Sequence, residues 1–333
     1  MRKLGVARLV WLVLALSSAT MSRADNPAFQ GADPHAMFIQ GELWVFPTGG
    51  PGGSWAADRF GAFSSRDLKT WTPRGEILRR DQIPWIGADG AREHFLWAPG
   101  VATRRGKWYL YYSVGPQNPT PSRIGVAVAD RPGGPYRDSG RPLVTGGRGF
   151  EAIDPMVFTD SRSGRSYLYA GGSAGARLRV WRLKRDMVTI AAEERVAQPP
   201  YFTEGVFMHE RGGTYYLSYS HGHWNRPDYS VHYATASSPL GPWRYRGPIL
   251  TSDDRHQGPG HHSFVRTAAG DWLIVYHRWE QSAGLAPLHG ERQIAIDRVG
   301  YAADGTIQPI VMTDGPSSPN ASRAAGTMDG RRH

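Results

Sequence analysis

Aromatic and aliphatic residues recur along the chain in short alternating runs, and each run follows a turn glycine. Alternation of side chains between two faces is the period of a β-strand, and a glycine before the strand permits the tight turn of a hairpin. Five such hairpin centres predict five structural units. The runs begin at Gly41, Gly106, Gly164, Gly213 and Gly270.

A second alternating run follows each hairpin and predicts a third strand in every unit. In three units a turn and an aromatic residue come next, which predicts a fourth, outer strand. Repeats of roughly 50 to 65 residues with about four strands each favour an all-β fold, a five-bladed β-propeller, over a β-sandwich. Blades bury their faces by stacking on one another. The third-strand runs are 60–63, 124–129, 178–181, 231–236 and 293–297.

Composition agrees with strands and excludes several kinds of chemistry. The chain has 41 Gly, 25 Pro, 12 Trp and 15 Tyr, which are turn formers and residues that suit pleated surfaces. It has no cysteine, so disulfides, thiolate catalysis and zinc–thiolate sites are excluded. The net charge of +10 comes from scattered arginines that form no basic stripe, so we expect no nucleic-acid partner.

The two ends of the chain differ from the repeats. Positive residues, then the apolar run LVWLVLALSSA, then small residues at 22–24 predict a signal peptide over residues 1–24. The apolar run is shorter than the ~20 residues of a membrane-spanning helix, although an uncleaved anchor is the alternative. We expect one propeller domain over 25–315, a disordered tail over 316–333, a secreted or periplasmic location, no membrane insertion after cleavage, and a monomer.

Candidate chemistry lies just before the hairpins. In a propeller the innermost strand of each blade lines the central channel, so residues at the start of that strand meet at one mouth. Three acids and a histidine pair hold these positions and should converge, although each Asp-Pro pair taken alone is equally typical of a turn. The segments are Ala32-Asp33-Pro34, Trp97-Ala98-Pro99, Ile153-Asp154-Pro155, Thr203-Glu204-Gly205 and Gly260-His261-His262.

This ordered set of segments resembles glycoside hydrolase family 43, whose members are five-bladed arabinofuranosidases, xylosidases and arabinanases. The resemblance implies inverting hydrolysis of α-L-arabinofuranosyl or β-D-xylosyl linkages in hemicellulose-type carbohydrate. It implies Asp33 as general base, Glu204 as general acid, and Asp154 as the residue that orients the acid and modulates its pKa. An endo-acting arabinanase and a carbohydrate-binding propeller without catalysis are the alternatives.

The resemblance also implies residues around the acids. Trp97, Phe207 and Trp224 are candidates to stack on a sugar, with packing between blades as the alternative. Arg292 is a candidate to bind a sugar hydroxyl or to contact Glu204 or Asp154. His261 is a candidate ligand of a structural calcium or similar ion on the axis, largely coordinated by water because calcium prefers oxygen. We expect no organic cofactor.

Overall fold

Five antiparallel sheets make up the protein in the computed structural model, which describes residues 23–49, 55–173, 175–280 and 286–315. The sheets are the blades of a five-bladed β-propeller, as predicted. Most of the predicted signal peptide, residues 1–22, and the predicted tail, 316–333, lie outside the described residues. Within the described ranges, no helix has the length and apolar character needed to cross a membrane.

Twenty-one strands and two short 3₁₀ turns occur in chain order. The strands are β1 (Phe29–Gln30), β2 (Ala32–Ile39), β3 (Glu42–Thr48), β4 (Arg59–Ser65), β5 (Thr72–Arg79), β6 (Leu96–Arg104), β7 (Lys107–Val114), β8 (Arg123–Ala129), β9 (Arg137–Asp138), β10 (Val144–Thr145), β11 (Met156–Thr159), β12 (Ser166–Ala170), β13 (Arg179–Leu183), β14 (Ile190–Glu194), β15 (Glu204–Arg211), β16 (Thr214–His221), β17 (Ser230–Ala236), β18 (Arg244–Leu250), β19 (Gln257–Arg266), β20 (Trp272–Trp279) and β21 (Gln293–Val299). The 3₁₀ turns are Arg80–Gln82 and Ile86–Asp89.

Each blade is a meander with its first strand innermost. Strands β2–β5 form blade 1, β6–β10 blade 2, β11–β14 blade 3, and β15–β18 blade 4. The predicted hairpin turns lie between the first and second strands. Gly41 and Gly270 have φ of 84° and 95°, a left-handed conformation that a Cβ disfavours. The predicted third strands correspond to β4, β8, β13, β17 and β21.

Blade 5 closes the ring with a strand from the other end of the chain. Its order is β19, β20, β21 and then β1, and Phe29 pairs with Ile294. Asn26 strengthens this closure, since its Nδ2 donates to the oxygen of Ile296 and its Oδ1 accepts from the N–H of Ile296. The repeat pattern of the sequence did not show this fourth strand, because β1 has only two residues.

Buried tyrosines on the second strands join neighbouring blades. Tyr111 of β7 donates its hydroxyl to the oxygen of Met187 in blade 3, and Tyr169 of β12 donates to the oxygen of Pro239 in blade 4. The rings supply apolar area, and the hydroxyls find backbone acceptors, so no polar atom of these side chains is buried without a partner. The propeller therefore holds its channel in a fixed shape.

Candidate active site

A left-handed residue occurs at the same place at the inner edge of every blade. Residues with a side chain rarely adopt positive φ, and such strain clusters at functional sites. In blades 1, 2, 4 and 5 the position lies in a β-bulge of the innermost strand, and bulges re-aim side chains. The five residues are Asp33 (φ 48°), Ala98 (46°), Asp154 (57°), Gly205 (62°) and His261 (37°).

The backbone N–H of each of these residues is bound by the preceding blade. The acceptor is a polar side chain near the end of the second strand, except between blades 3 and 4. There Gly171 occupies the corresponding place, and the carboxylate of Asp154 accepts instead. The bonds run from Ala98 to Thr48 Oγ1 (2.7 Å), Asp154 to Ser113 Oγ (2.9 Å), Gly205 to Asp154 Oδ2 (3.0 Å), His261 to Ser220 Oγ (2.9 Å) and Asp33 to His277 Nδ1 (3.1 Å).

These inner edges surround a cavity of about 210 Å³ at one mouth of the channel. Every site residue predicted from the sequence except Phe207 lines it. The predicted residues in the lining are Asp33, Asp154, Glu204, Trp97, Trp224, Arg292 and His261. The sequence did not point to Trp55, Gln117, Ile153 or Ser173, which line it as well. Trp55 and Ser173 lie in a long loop and a glycine-rich segment, where strand patterns carry no signal.

Asp33 is surrounded by donors and positive charge. Arg292 Nη1 donates to its Oδ1 (3.0 Å), Thr48 Oγ1 donates to its Oδ2 (2.7 Å), and His261 Nδ1 lies 3.5 Å from Oδ1. Burial by itself raises the pKa of Asp33, but the charge of Arg292, helped by the neighbouring rings of His261 and His277, outweighs burial and holds this pKa well below its usual value. Asp33 is therefore a carboxylate. Arg292 contacts this acid and neither Glu204 nor Asp154.

On the other side of the cavity, Asp154 and Glu204 form a second group of acids, and the pKa of Asp154 is shifted in the opposite direction from that of Asp33. Burial raises the pKa of Asp154 well above its usual value, and the negative charges of Glu204 and Asp33 raise it further. Glu204 Oε1 accepts from the hydroxyl of Tyr229 (2.9 Å), and its Oε2 accepts from Ser173 Oγ (3.1 Å). Asp154, which interacts with Glu204, therefore retains a proton at a pH where an exposed aspartate has lost one.

Tyr229 connects the two sides of the site. Its ring stacks on His277, with centroids 5.9 Å apart and planes 9° from parallel, and His277 accepts from the N–H of Asp33. Gly260 leaves room for the ring, since a Cβ there would lie 2.2 Å from Tyr229 Cε1. Asp33 and Glu204 are thus supported by one packed assembly. Nothing in the residue pattern distinguished Tyr229 from the other buried tyrosines.

Aromatic side chains form the apolar part of the lining. The rings of Trp97 and Trp55 lie 5.2 Å apart, and Trp97 Nε1 donates to the oxygen of Trp55. Trp224 lies under the guanidinium of Arg292, 5.3 Å from ring centroid to Cζ. These faces can pack against the C–H surface of a sugar, while the acids and Arg292 meet its hydroxyls.

The structure does not bring Phe207 to the cavity, and this corrects the expectation of a stacking role. Its side chain is buried and packs against His35, His262 and Phe264 inside the channel. The bulge between Glu204 and Phe207 shifts the register of β15, so the strand carries Phe207 away from the mouth. Packing between blades, the alternative that the sequence left open, describes this residue.

His261 lies between the two aspartates, with Nδ1 3.5 Å from Asp33 Oδ1 and 3.6 Å from Asp154 Oδ2. Burial lowers the pKa of His261 although the charges of Asp33 and Glu204 oppose this shift, and the lowered pKa favours a neutral ring. His262 has a packing role, with Nε2 2.7 Å from Ser218 Oγ. For calcium the protein offers one imidazole here and no oxygen cage, so the fit depends on water ligands.

A different group of side chains has the spacing of a metal site. In the described part of the chain, His256, Glu280 and Asp314 alone place three ligand atoms close enough to share an ion. Arg278 already pairs with both acids of this group, at 2.7 Å from Glu280 and 3.2 Å from Asp314. The group therefore fits an ion-pair network of blade 5 better than a cation site, and it lies apart from the residues of the cavity.

Comparison with known proteins agrees with this geometry. The family model of glycosyl hydrolases family 43 matches residues 25–307. The chain is 35% identical to a β-D-galactofuranosidase of Aspergillus niger, over 90% of this chain and 88% of that protein. It is 30% identical to xylosidase/arabinosidase 43A of Humicola insolens, over 83% and 95%.

A solved structure shows the same architecture. An α-L-arabinofuranosidase of Clostridium thermocellum superposes with a TM-score of 0.68 at 31% identity, and the match covers 86% of this chain and 96% of that one. The family match spans all five blades and all three acids of the cavity. The chain belongs to glycosyl hydrolases family 43.

Proposed function

We propose that the protein is an inverting glycosidase that removes a terminal furanosyl or xylosyl residue from plant-type poly- or oligosaccharides. The observation that carries this proposal is the opposite tuning of two carboxyl groups across one cavity. Asp33 is held ionised, whereas Asp154, on the Glu204 side of the cavity, retains a proton. Inversion needs one carboxylate to activate water and one carboxylic acid to protonate the leaving group.

Asp33 acts as the general base. Arg292 and Thr48 each occupy one of its oxygens, which fixes the orientation of the carboxylate and leaves its remaining lone pairs for water. The depressed pKa keeps this group ionised throughout the working range of pH, at the cost of some basicity. Water held by Asp33 loses its proton to the carboxylate while its oxygen attacks the anomeric carbon.

Glu204 of blade 4 acts as the general acid, whereas the base, Asp33, belongs to blade 1. Tyr229 and Ser173 orient its carboxyl, and the raised pKa of Asp154 keeps a proton on the same side of the cavity. Asp154 also accepts from the N–H of Gly205, which ties its position to the backbone of the acid. The proton passes to the glycosidic oxygen as the bond to the anomeric carbon breaks, and the product has the opposite anomeric configuration.

The size of the cavity supports removal of single terminal residues. Its volume of about 210 Å³ is below the roughly 300–1,000 Å³ of pockets that enclose drug-sized ligands. One sugar ring between the tryptophans and the acids would fill such a space. An endo-acting arabinanase is the second candidate, and it requires an open groove that accepts sugars on both sides of the cleaved bond.

The leading substrates are two furanosyl residues, α-L-arabinofuranosyl and β-D-galactofuranosyl, whose rings share the same configuration. An α-L-arabinofuranosyl ring and a β-D-galactofuranosyl ring have the same configuration at C1 to C4 and differ in the exocyclic group at C4. The relatives in Clostridium thermocellum and Aspergillus niger carry these two activities in their names. A β-D-xylosyl residue is the third candidate, from the relative in Humicola insolens.

Export, a monomeric state and an axial ion complete the proposal. Residues 1–24 carry the predicted signal peptide, which supports export to the periplasm or the medium. A calcium or similar ion near His261 would be held mainly by water, and the proposed proton transfers are assigned to Asp33, Asp154 and Glu204 alone.

The test is hydrolysis of aryl α-L-arabinofuranoside, β-D-galactofuranoside and β-D-xyloside by the wild type and by Glu204→Gln. The anomer first released is followed by NMR. We expect the wild type to release the inverted sugar from at least one substrate and the variant to release far less. Release of the retained anomer, or no release from any substrate, would contradict the proposed function.

A further inference from the structure

An exposed aromatic side chain stands beside the catalytic acid and takes no part in the cavity. Tyr201 is 58% exposed, and only Trp55 and Val311 among the described large apolar residues are comparably open to solvent. Trp55 belongs to the mouth of the cavity. Tyr201 precedes Glu204 by three residues, so their Cα atoms are at most roughly 11 Å apart.

The segment that carries Tyr201 is fixed rather than loose. Tyr219 donates its hydroxyl to the oxygen of Pro200 (2.6 Å), His221 Nδ1 donates to the oxygen of Tyr201 (3.0 Å), and the N–H of Thr203 donates to the oxygen of Ser220 (2.9 Å). The neighbouring Phe202 is buried against Tyr219. With Phe202 anchored inside, the ring of Tyr201 is held on the outside.

Tyr201 adopts a backbone conformation that costs stability. Its φ is 62°, in the left-handed region where a bulky side chain is rare and the strain is of order 1–3 kcal/mol. Glycine or asparagine would occupy this position with less strain. More than half of the Tyr201 side chain is exposed, so burial does not account for an aromatic residue at this strained position.

Two further rings, those of Tyr245 and His221, extend the surface over blade 4, and the buried ring of His232 packs against both of them and against Tyr201. Tyr201 lies 5.1 Å from the ring of Tyr245, 5.5 Å from His221 and 5.8 Å from His232. His232 is tied to the hydroxyl of Tyr245 (2.7 Å). We call these four residues the outer platform. Its apolar faces and its imidazole and phenol groups are the combination that binds the C–H face and the hydroxyls of a sugar.

The position of the general acid determines on which side of the cavity the leaving group lies. A general acid protonates the glycosidic oxygen of the leaving group, so the leaving-group sugar lies on the side of Glu204 and the base lies on the opposite face of the cleaved sugar. Gly171 and Gly172 of blade 3 are buried beside this acid, and a Cβ on Gly172 would meet the Cβ of Glu204 at 2.5 Å. At most roughly 11 Å separates the Cα atoms of Tyr201 and Glu204. Among the exposed aromatic side chains of the described residues, Tyr201 is therefore the one nearest in the chain to the acid.

We infer that the outer platform binds the leaving-group part of a polysaccharide, and that Tyr201 is the residue on which one of its sugars stacks. This inference rests on the proposed function. It assigns the cavity to the residue that is released and the outer platform to the polymer from which it is released. A small aryl glycoside has no such polymer and does not reach the platform.

The experiment compares kcat/KM on a polymer with kcat/KM on the aryl glycoside of the same sugar. Arabinoxylan, arabinan and a β-galactofuranan serve as polymers, and the variants are Tyr201→Asn, Tyr201→Phe and Val311→Ala. Asparagine removes the ring and tolerates the left-handed backbone, and phenylalanine keeps the ring. Val311, 76% exposed, is the matched exposed control.

We expect Tyr201→Asn to lower the polymer-to-aryl ratio of kcat/KM by about five- to tenfold, the effect of one lost stacking contact. Tyr201→Phe and Val311→Ala should keep the wild-type ratio. An unchanged ratio in Tyr201→Asn, an equal loss on both substrates, or wild-type activity confined to aryl glycosides would overturn the inference. Absence of aryl hydrolysis in the wild type would instead count against the proposed function.

Discussion

Asp33 and Asp154 occupy the same place in two blades, yet their acidities are opposite. Both precede a proline, both have positive φ (48° and 57°), and both donate their backbone N–H to the preceding blade. Burial raises the pKa of both, but Arg292 reverses this shift at Asp33, whereas Glu204 adds to it at Asp154. The blade repeat gives the two carboxyl groups equivalent positions. Their different pKa values come from the residues that contact them from other blades.

The comparison predicts the largest effect for Asp33→Asn. An amide cannot take a proton from water, so we expect kcat to fall by about 10²- to 10⁴-fold, the usual contribution of a general base. KM should change little, because Thr48 can still bind the amide. Kinetics on the aryl glycoside provide the measurement. A loss below tenfold would show that Asp33 only positions other groups.

Asp154→Asn should give an intermediate effect that depends on pH. Asparagine removes the group whose raised pKa keeps a proton in the site, so the basic limb of the pH–rate profile moves to lower pH. The rate at pH 7 should fall roughly 10- to 100-fold, with a smaller loss near pH 5. A loss that is uniform across the pH range would instead indicate a purely positional role.

The same substitution should stabilise the fold at neutral pH. The pKa of Asp154 is higher in the folded protein than in the unfolded chain, so the folded state holds a proton that the unfolded chain releases. Wild-type stability therefore falls as pH rises from about 4 toward the folded pKa. Asparagine does not titrate, so Tm of Asp154→Asn should exceed that of the wild type at pH 7 and by less at pH 4.

Tyr229→Phe should give the smallest effect and sharpen the acid side of the comparison. It removes the hydrogen bond to Glu204 but keeps the ring that packs on His277 and Gly260. We expect kcat to fall about tenfold for an aryl glycoside with a poor leaving group. The loss should shrink with a dinitrophenyl leaving group, which departs without a proton. Equal losses with both leaving groups would argue against a role through Glu204.

The sequence by itself determined the number of blades, the turns and the alignment of candidate positions. Glycine-led alternating runs act locally, since the side-chain period and the turn conformation are properties of a few adjacent residues. For this reason the hairpins, the third strands and the inner positions of Asp33, Asp154 and Glu204 could be predicted before any contact was known.

Contacts between distant residues were decided only by the tertiary structure. The two-residue strand β1 gains its partner because the ring closes, and Arg292 meets Asp33 across blades 5 and 1. The side chain of Phe207 lies in the packed channel because a bulge changes the register of its strand. Such outcomes depend on how five repeats stack around one axis, and no short stretch of residues carries that information.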